Sequence, residues 1–270
     1  MATHGAENWP ELAGKKVLIV DSCTQIGAES ARLLSSLGCS VALASSDKEG
    51  LESQSAELHV ESTSEQNKIV TFPVDFWDDK SVEAMINDVI VTFKELNVFV
   101  YASGPLKEDS IESFKMEDLD AQFHRNVRTP LLLTKLVSPY LIRTKGCIVN
   151  VCSIMGYRPF PQALTYGSAM KALIHLTSNA ANELASKGVR VNAIVPGAID
   201  EHSAEEKDVT TNPKYKEFQD YNSKCHPIGR LGTREEFARA ILFLVSSQSS
   251  YTTGEILTVD GGRHVLDRDV

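Results

Sequence analysis

Tyr166 lies thirteen residues after Ser153, which closes the run Ile148-Val-Asn-Val-Cys-Ser. A strand-end serine beside a helical tyrosine can hold a substrate oxygen and exchange a proton with it. A phenol has an intrinsic pKa of about 10, so at neutral pH the tyrosine needs a neighbour that stabilises its anion. On a helix that neighbour belongs at i+4, about 40° round the barrel from the tyrosine. Position 170 is methionine. Lys171 is one residue too far, about 140° round, and points away unless a π-bulge absorbs a residue.

The elements that must position this pair follow from patterning. Short apolar runs near 16–20, 40–44, 69–74, 97–101, 146–151, 189–194 and 255–259 alternate with helix-period segments, which predicts a parallel sheet covered on both faces. The helix over 165–186 buries Leu173, Leu176, Ala180 and Leu184 and stops at Gly188, and another over 233–246 uses Phe237, Ile241 and Leu244. Residues 198–226 break the alternation and are too polar for core, so they read as a flap over the substrate site. With Met155–Leu164 they are expected to wall it. Residues 1–11 read as a flexible terminus and 12–270 as one domain.

The chain resembles the short-chain dehydrogenase/reductase family, and the resemblance runs from Leu12 to Gly262. It rests on Lys16-Val-Leu-Ile-Val leading to Ile26-Gly27, Val74-Asp75, Asn126-Val127, the Ser153 and Tyr166 stretches, Gly188-Val-Arg-Val-Asn-Ala-Ile-Val-Pro-Gly197, Pro227–Gly232, and Thr253-Gly254 to Val259-Asp-Gly-Gly262. It implies a Rossmann-type, doubly wound, seven-stranded α/β/α sandwich. It also implies a homotetramer or homodimer packed through the two long central helices and the last strand. By the same resemblance Ser153, Tyr166 and Asn126 are catalytic, and Ile26, Gly27, Asp75, Gly104, Pro196 and Gly197 bind NADP or NAD. Counting back from Glu183 and Gly188 places the family's lysine on Met170, which reads as an apolar gap-filler.

The glycine-rich loop also departs from the family. Val20-Asp-Ser-Cys-Thr-Gln-Ile-Gly27 keeps only the third glycine, with Asp21 and Gln25 in place of the others. A carboxylate 4 Å from a phosphate repels it by roughly 4 kcal/mol at an effective dielectric of about 20. Two expectations follow: either Asp21 caps the first helix in the phosphate's stead, or it faces solvent. Glu201 adds a second acidic replacement, and Tyr101–Gly104 replaces the family's Asn-Asn-Ala-Gly. Ala44-Ser45-Ser46 carries neither a ribose-binding carboxylate nor an arginine, and Lys48 tilts the cofactor toward NADP.

Net charge −9 without a basic cluster argues against nucleic acid or anionic membrane surfaces as partners and favours a small-molecule substrate. Five scattered cysteines read as reduced thiols, and no stretch reads as a leader or membrane span, so the expected compartment is the cytoplasm. Cys152 reads as a buried small residue, His124 and His175 as packing or surface residues, and no metal site is expected. The resemblance implies an NAD(P)(H)-dependent oxidoreductase acting on a small carbonyl or alcohol. A non-redox enzyme (cyclase, isomerase or lyase) and a pseudoenzyme that binds a ligand or partner subunit remain open.

Overall fold

The computed structural model describes residues 9–61, 67–102, 104, 106–200 and 213–266. Strands β1 (Lys16–Val20), β2 (Ser40–Ser45), β3 (Ile69–Pro73), β4 (Val98–Tyr101), β5 (Cys147–Val151), β6 (Arg190–Pro196) and β7 (Ile256–Val259) form one sheet in the order β3-β2-β1-β4-β5-β6-β7. Every pairing is parallel. The seven expected strands are all present, with ends shifted by one or two residues.

The period-two pattern sorts the core onto two faces. Leu18, Val20, Phe99 and Ile148 pack with helices α3 (Asp79–Phe93), α5 (Thr129–Thr144) and α7 (Leu164–Leu184). Val17, Ile19, Val100 and Val149 pack on the other face with α1 (Gln25–Ser36), α2 (Lys48–Glu61) and α9 (Arg234–Val245). α4 (Met116–Phe123) runs through a π-helical turn, His124–Arg128, into α5, while α6 (Ile154–Tyr157) is a single turn and α8 (Pro213–Cys225) follows residues 201–212. The strand order reverses between β1 and β4, which opens the crevice at their C-terminal ends where such sheets bind ligands.

Local chemistry sets the helix ends. The Thr24 hydroxyl accepts from the Gly27 N–H at 3.2 Å and caps α1. Thr233 and Glu236 form a capping box on α9. After α7 the chain tightens into a 3-10 turn over Ala185–Lys187 and leaves through Gly188 at φ 82°, the left-handed cap that glycine adopts without strain. Residues 9–11, expected to belong to a flexible terminus, are tied down instead. Trp9 packs on the core, Pro10–Leu12 form a 3-10 turn, and Glu11 accepts from the Ser247 hydroxyl at 2.7 Å.

Candidate active site

Ser153 follows β5 and acts as the N-cap of α6, its Oγ accepting from the Met155 N–H at 3.2 Å. That leaves its O–H to donate elsewhere. Tyr166 sits in the first turn of α7, buried at 7% exposure. Both line a cavity of about 420 Å³ at the C-terminal strand ends, together with Ile26, Gly104, Pro196, Gly197, Asp21 and Gln25. Ile199, after β6, and Phe218, of α8, also line it; of the expected flap, residues 201–212, Glu201 included, lie outside the described residues. The segment 155–164 does not supply the expected wall: the α6 turn packs against Met170 instead, where a Cβ on Gly156 would come within 2.6 Å of the Met170 Cβ. A larger cavity of about 710 Å³ opens at the opposite strand ends, among Lys15, Asn97 and Arg190, and holds none of the candidate residues.

Met170 is fully buried in the core cluster. α7 is α-helical throughout, so Lys171 faces away, exposed, its ammonium 5.9 Å from the Tyr157 ring centroid. No π-bulge occurs in α7; a π turn lies instead between α4 and α5, and it contains Asn126. The Asn126 Oδ1 accepts from the Gly104 N–H at 3.0 Å, and its Nδ2 donates to Gln122 at 2.9 Å. Its side chain therefore fixes the loop after β4 to the π turn. Asp75 stands apart from the cavity, exposed beyond β3, its Oδ1 accepting from the Trp77 N–H at 2.9 Å.

Both expectations for Asp21 are corrected. The residue takes φ 59°, a left-handed value that aspartate tolerates where the family has glycine. It is buried, and its carboxylate neither faces solvent nor caps α1, because Thr24 holds that position. One Arg125 nitrogen donates to both carboxylate oxygens, at 2.7 and 2.6 Å. Burial pushes the Asp21 carboxyl above its ordinary value, and the guanidinium opposes that rise. The expected repulsion of an anionic ligand is thereby largely cancelled. Arg125 stacks 4.0 Å over the Phe76 ring, and Tyr101 donates its hydroxyl to the Arg125 carbonyl. Sequence reasoning missed Arg125, whose one signal was a basic residue directly before Asn126. A Cβ on Gly27 would come within 2.7 Å of the Asp21 carbonyl oxygen, so the loop packs against the start of α1 more closely than a larger residue allows.

The remaining candidates pack. His124 stacks on Trp77 with ring centroids 4.1 Å apart and donates to the Phe76 carbonyl at 2.8 Å, while His175 is exposed. Burial pushes the Cys152 thiol far up, away from thiolate chemistry.

A family model described as Enoyl-(Acyl carrier protein) reductase matches residues 22–264. The chain belongs to the short-chain dehydrogenase/reductase family. The 3-oxoacyl-[acyl-carrier-protein] reductase FabG of Thermotoga maritima is 31% identical to this dehydrogenase/reductase over 93% of the chain and 98% of the relative. The short-chain dehydrogenase/reductase aba4 of Botryotinia fuckeliana is 32% identical over 92% and 96%. A crystal structure of NAD+-bound xylitol dehydrogenase superposes with a TM-score of 0.83 at 25% identity, over 93% of this chain and 100% of that one. The family's fold is thus intact here.

Two side chains brace the site of this family member and carry predictions. No side chain of the Ala163 N-cap holds α7; instead the Asp109 carboxylate accepts from the Thr165 N–H at 3.1 Å and from the Thr165 hydroxyl. Hydrogen bonds to a charged acceptor contribute about 1.5–3 kcal/mol. At roughly 2–4 °C per kcal/mol for a chain of this size, Asp109→Ala is expected to lower the melting temperature by about 3–12 °C in a calorimetric scan. An unchanged midpoint would mean that α7 is held without it.

His226 ties α8 to the segment that follows β6. Its Nε2 accepts from the Ala198 N–H at 3.1 Å while Nδ1 donates to the Asn222 carbonyl at 2.5 Å, the pattern of a neutral ring. Burial holds its pKa below the ordinary value. The unfolded chain therefore takes up the proton first, so this stabilisation is complete above pH of about 6.5 and is lost as pH falls through the folded value. Melting temperature is expected to fall more steeply between about pH 7 and pH 5 for the native chain than for His226→Gln. Parallel slopes would remove the imidazole from the account.

Proposed function

We propose that this protein is an atypical NAD(P)(H)-dependent oxidoreductase of the short-chain family acting on a small carbonyl or alcohol. The observation that carries the reading is the single cavity shared by Ser153, Tyr166, Ile26, Pro196 and Gly197 at the sheet's switch point. The names of the relatives agree with it: one reduces an oxoacyl group, and another is an NAD+-bound dehydrogenase of a sugar alcohol.

Two structural features support such a cofactor. The Asp21 charge is neutralised at the loop, and Arg125 Nη1 is buried with no hydrogen-bond partner among the described residues, a donor waiting for an acceptor. Ile26, Gly27, Gly104, Pro196 and Gly197 would hold the cofactor, with Asp75 at its outer end. Lys48, opening α2 beyond β2, favours NADP. When bound, the nicotinamide supplies or takes a hydride. The chain's own contribution is to hold and protonate. The Ser153 O–H donates to the substrate oxygen, and Tyr166 moves a proton to or from that oxygen in the buried cavity, without an ammonium beside it. The Asn126 amide serves this site by fixing the loop after β4.

Calorimetric titration with NADPH and NADH, after any co-purified nucleotide is removed, tests the reading. Micromolar binding followed by nicotinamide absorbance changes on a carbonyl and alcohol panel is the expected result. Absence of binding at millimolar nucleotide defeats it. Fully buried Met170 favours a second reading, a non-redox cyclase, isomerase or lyase in which Ser153 and Tyr166 are fixed donors. That enzyme would convert substrate with nicotinamide absorbance unchanged. A homotetramer or homodimer through α5, α7 and edge strand β7 fits the exposure of Leu131, and light scattering that shows monomer alone contradicts it.

A further inference from the structure

The Asp21–Arg125 pair lies where the family's loop would bring backbone against phosphate. In a glycine loop that contact comes from main-chain N–H groups approached closely because no side chain intervenes. Here Gln25 opens α1 at the second glycine position and lines the cavity, so close approach of backbone is obstructed.

Three observations supply a replacement. The Arg125 guanidinium spends one nitrogen on both Asp21 oxygens, although its planar fork could serve two acceptors. Its other terminal nitrogen, Nη1, is buried without a partner among the described residues. Gln25 Oε1 is likewise buried and unpartnered, and turning the amide over puts a donor in the same place. Gln25 is the first residue of α1, a twelve-residue helix whose first-turn N–H groups favour an anion, and Asp21, which holds Arg125, lies in the loop that leads into it. An unpaired buried donor is rare in a native fold, and one on a guanidinium bonded to the cavity-lining Asp21 calls for an acceptor.

We infer that Arg125 is the anion-binding residue of this site: its guanidinium, held by Asp21 and stacked on Phe76, takes a nucleotide diphosphate on Nη1, in place of the missing glycine-loop contact. The inference rests on the proposed nucleotide dependence and names the residue that confers it. Asp21 orients the guanidinium and also competes for it as an internal acceptor. Arg125 can thus bridge carboxylate and phosphate, and removing the Asp21 charge should strengthen the bond to phosphate.

The experiment is calorimetric titration with ADP, adenosine, NADPH and NADH at two salt concentrations. It uses the native chain, Asp21→Asn, and the doubly neutral Asp21→Asn/Arg125→Gln, which avoids leaving a buried carboxylate alone. Thermal scans confirm folding of each. ADP is expected to bind more tightly than adenosine. The double variant should lose at least about tenfold in ADP affinity, with adenosine unaffected and salt dependence reduced. Asp21→Asn should bind ADP several-fold more tightly than the native chain. ADP affinity kept or raised in the double variant would show that Arg125 obstructs the path, and failure of both the native chain and Asp21→Asn to bind ADP would equally overturn the inference. ADP binding that needs Arg125 while neither dinucleotide binds would sink the oxidoreductase reading and leave the anion site standing. Dinucleotide binding indifferent to Arg125 would do the reverse.

Discussion

Tyr166→Phe is expected to lower turnover by about 10²–10⁴-fold while the protein remains folded. The ring belongs to the core cluster, and phenylalanine keeps its packing, so the loss reports the hydroxyl and not the scaffold. Ser153→Ala is a less clean probe, because that hydroxyl also caps α6 and its removal costs about 1 kcal/mol of local stability. The assay is steady-state turnover on whichever carbonyl or alcohol the panel identifies, with the melting temperature measured alongside. A decrease smaller than about threefold would mean that the proton comes from another donor, and the mechanism would have to be redrawn around it.

The elements that position this site were legible from residue patterning because that patterning acts locally, whereas the site residues themselves were implied by the family resemblance. Alternation of apolar runs with helical segments marks a buried parallel sheet, and a parallel sheet brings its strand ends to one side. That is why Ser153 after β5, Tyr166 in α7 and Pro196-Gly197 after β6 meet in one cavity although they are far apart in the chain. The arithmetic of the helix likewise put Lys171 on the wrong face, and the straight α7 keeps it there.

Arg125 was not legible for the opposite reason. Its partner Asp21 is 104 residues away, just after β1, while Arg125 lies in the π turn between α4 and α5, so only the tertiary fold brings them together. From sequence Asp21 counted as a bare negative charge, whereas in the fold it is half of a pair. Asp109 was hidden in the same way, since it caps a helix that starts 55 residues later. Asn126, expected among the catalytic residues, gives its side chain to the Gly104 N–H and Gln122, contacts that only the tertiary fold reveals.

Met170→Lys should raise turnover by about tenfold and move the pH–rate profile, at a cost in stability. Methionine and lysine share an unbranched stem, so a lysine can follow the Met170 path between α7 and the α6 turn and carry its ammonium one bond past the methionine's last carbon. Position 170 is four residues after Tyr166, on the same face of the helix. A unit charge about 6 Å from a phenolate at an effective dielectric of about 20 favours it by roughly 3 kcal/mol, near a hundredfold in acidity. If half of that is felt in the transition state, the rate gains about tenfold. In the alcohol-oxidising direction the rate rises as the phenol ionises, so the rising limb should shift to lower pH. The opposing effect is desolvation. Met170 is fully buried, and an ammonium there is disfavoured unless the cavity admits its tip, so the melting temperature should fall. The two readouts separate the explanations. Faster turnover with a shifted limb and a lower melting temperature means that the native tyrosine works unassisted and slowly. A lower melting temperature with rate and limb unmoved means that proton transfer through Tyr166 does not limit turnover, and the case for hydride chemistry in this cavity weakens with it.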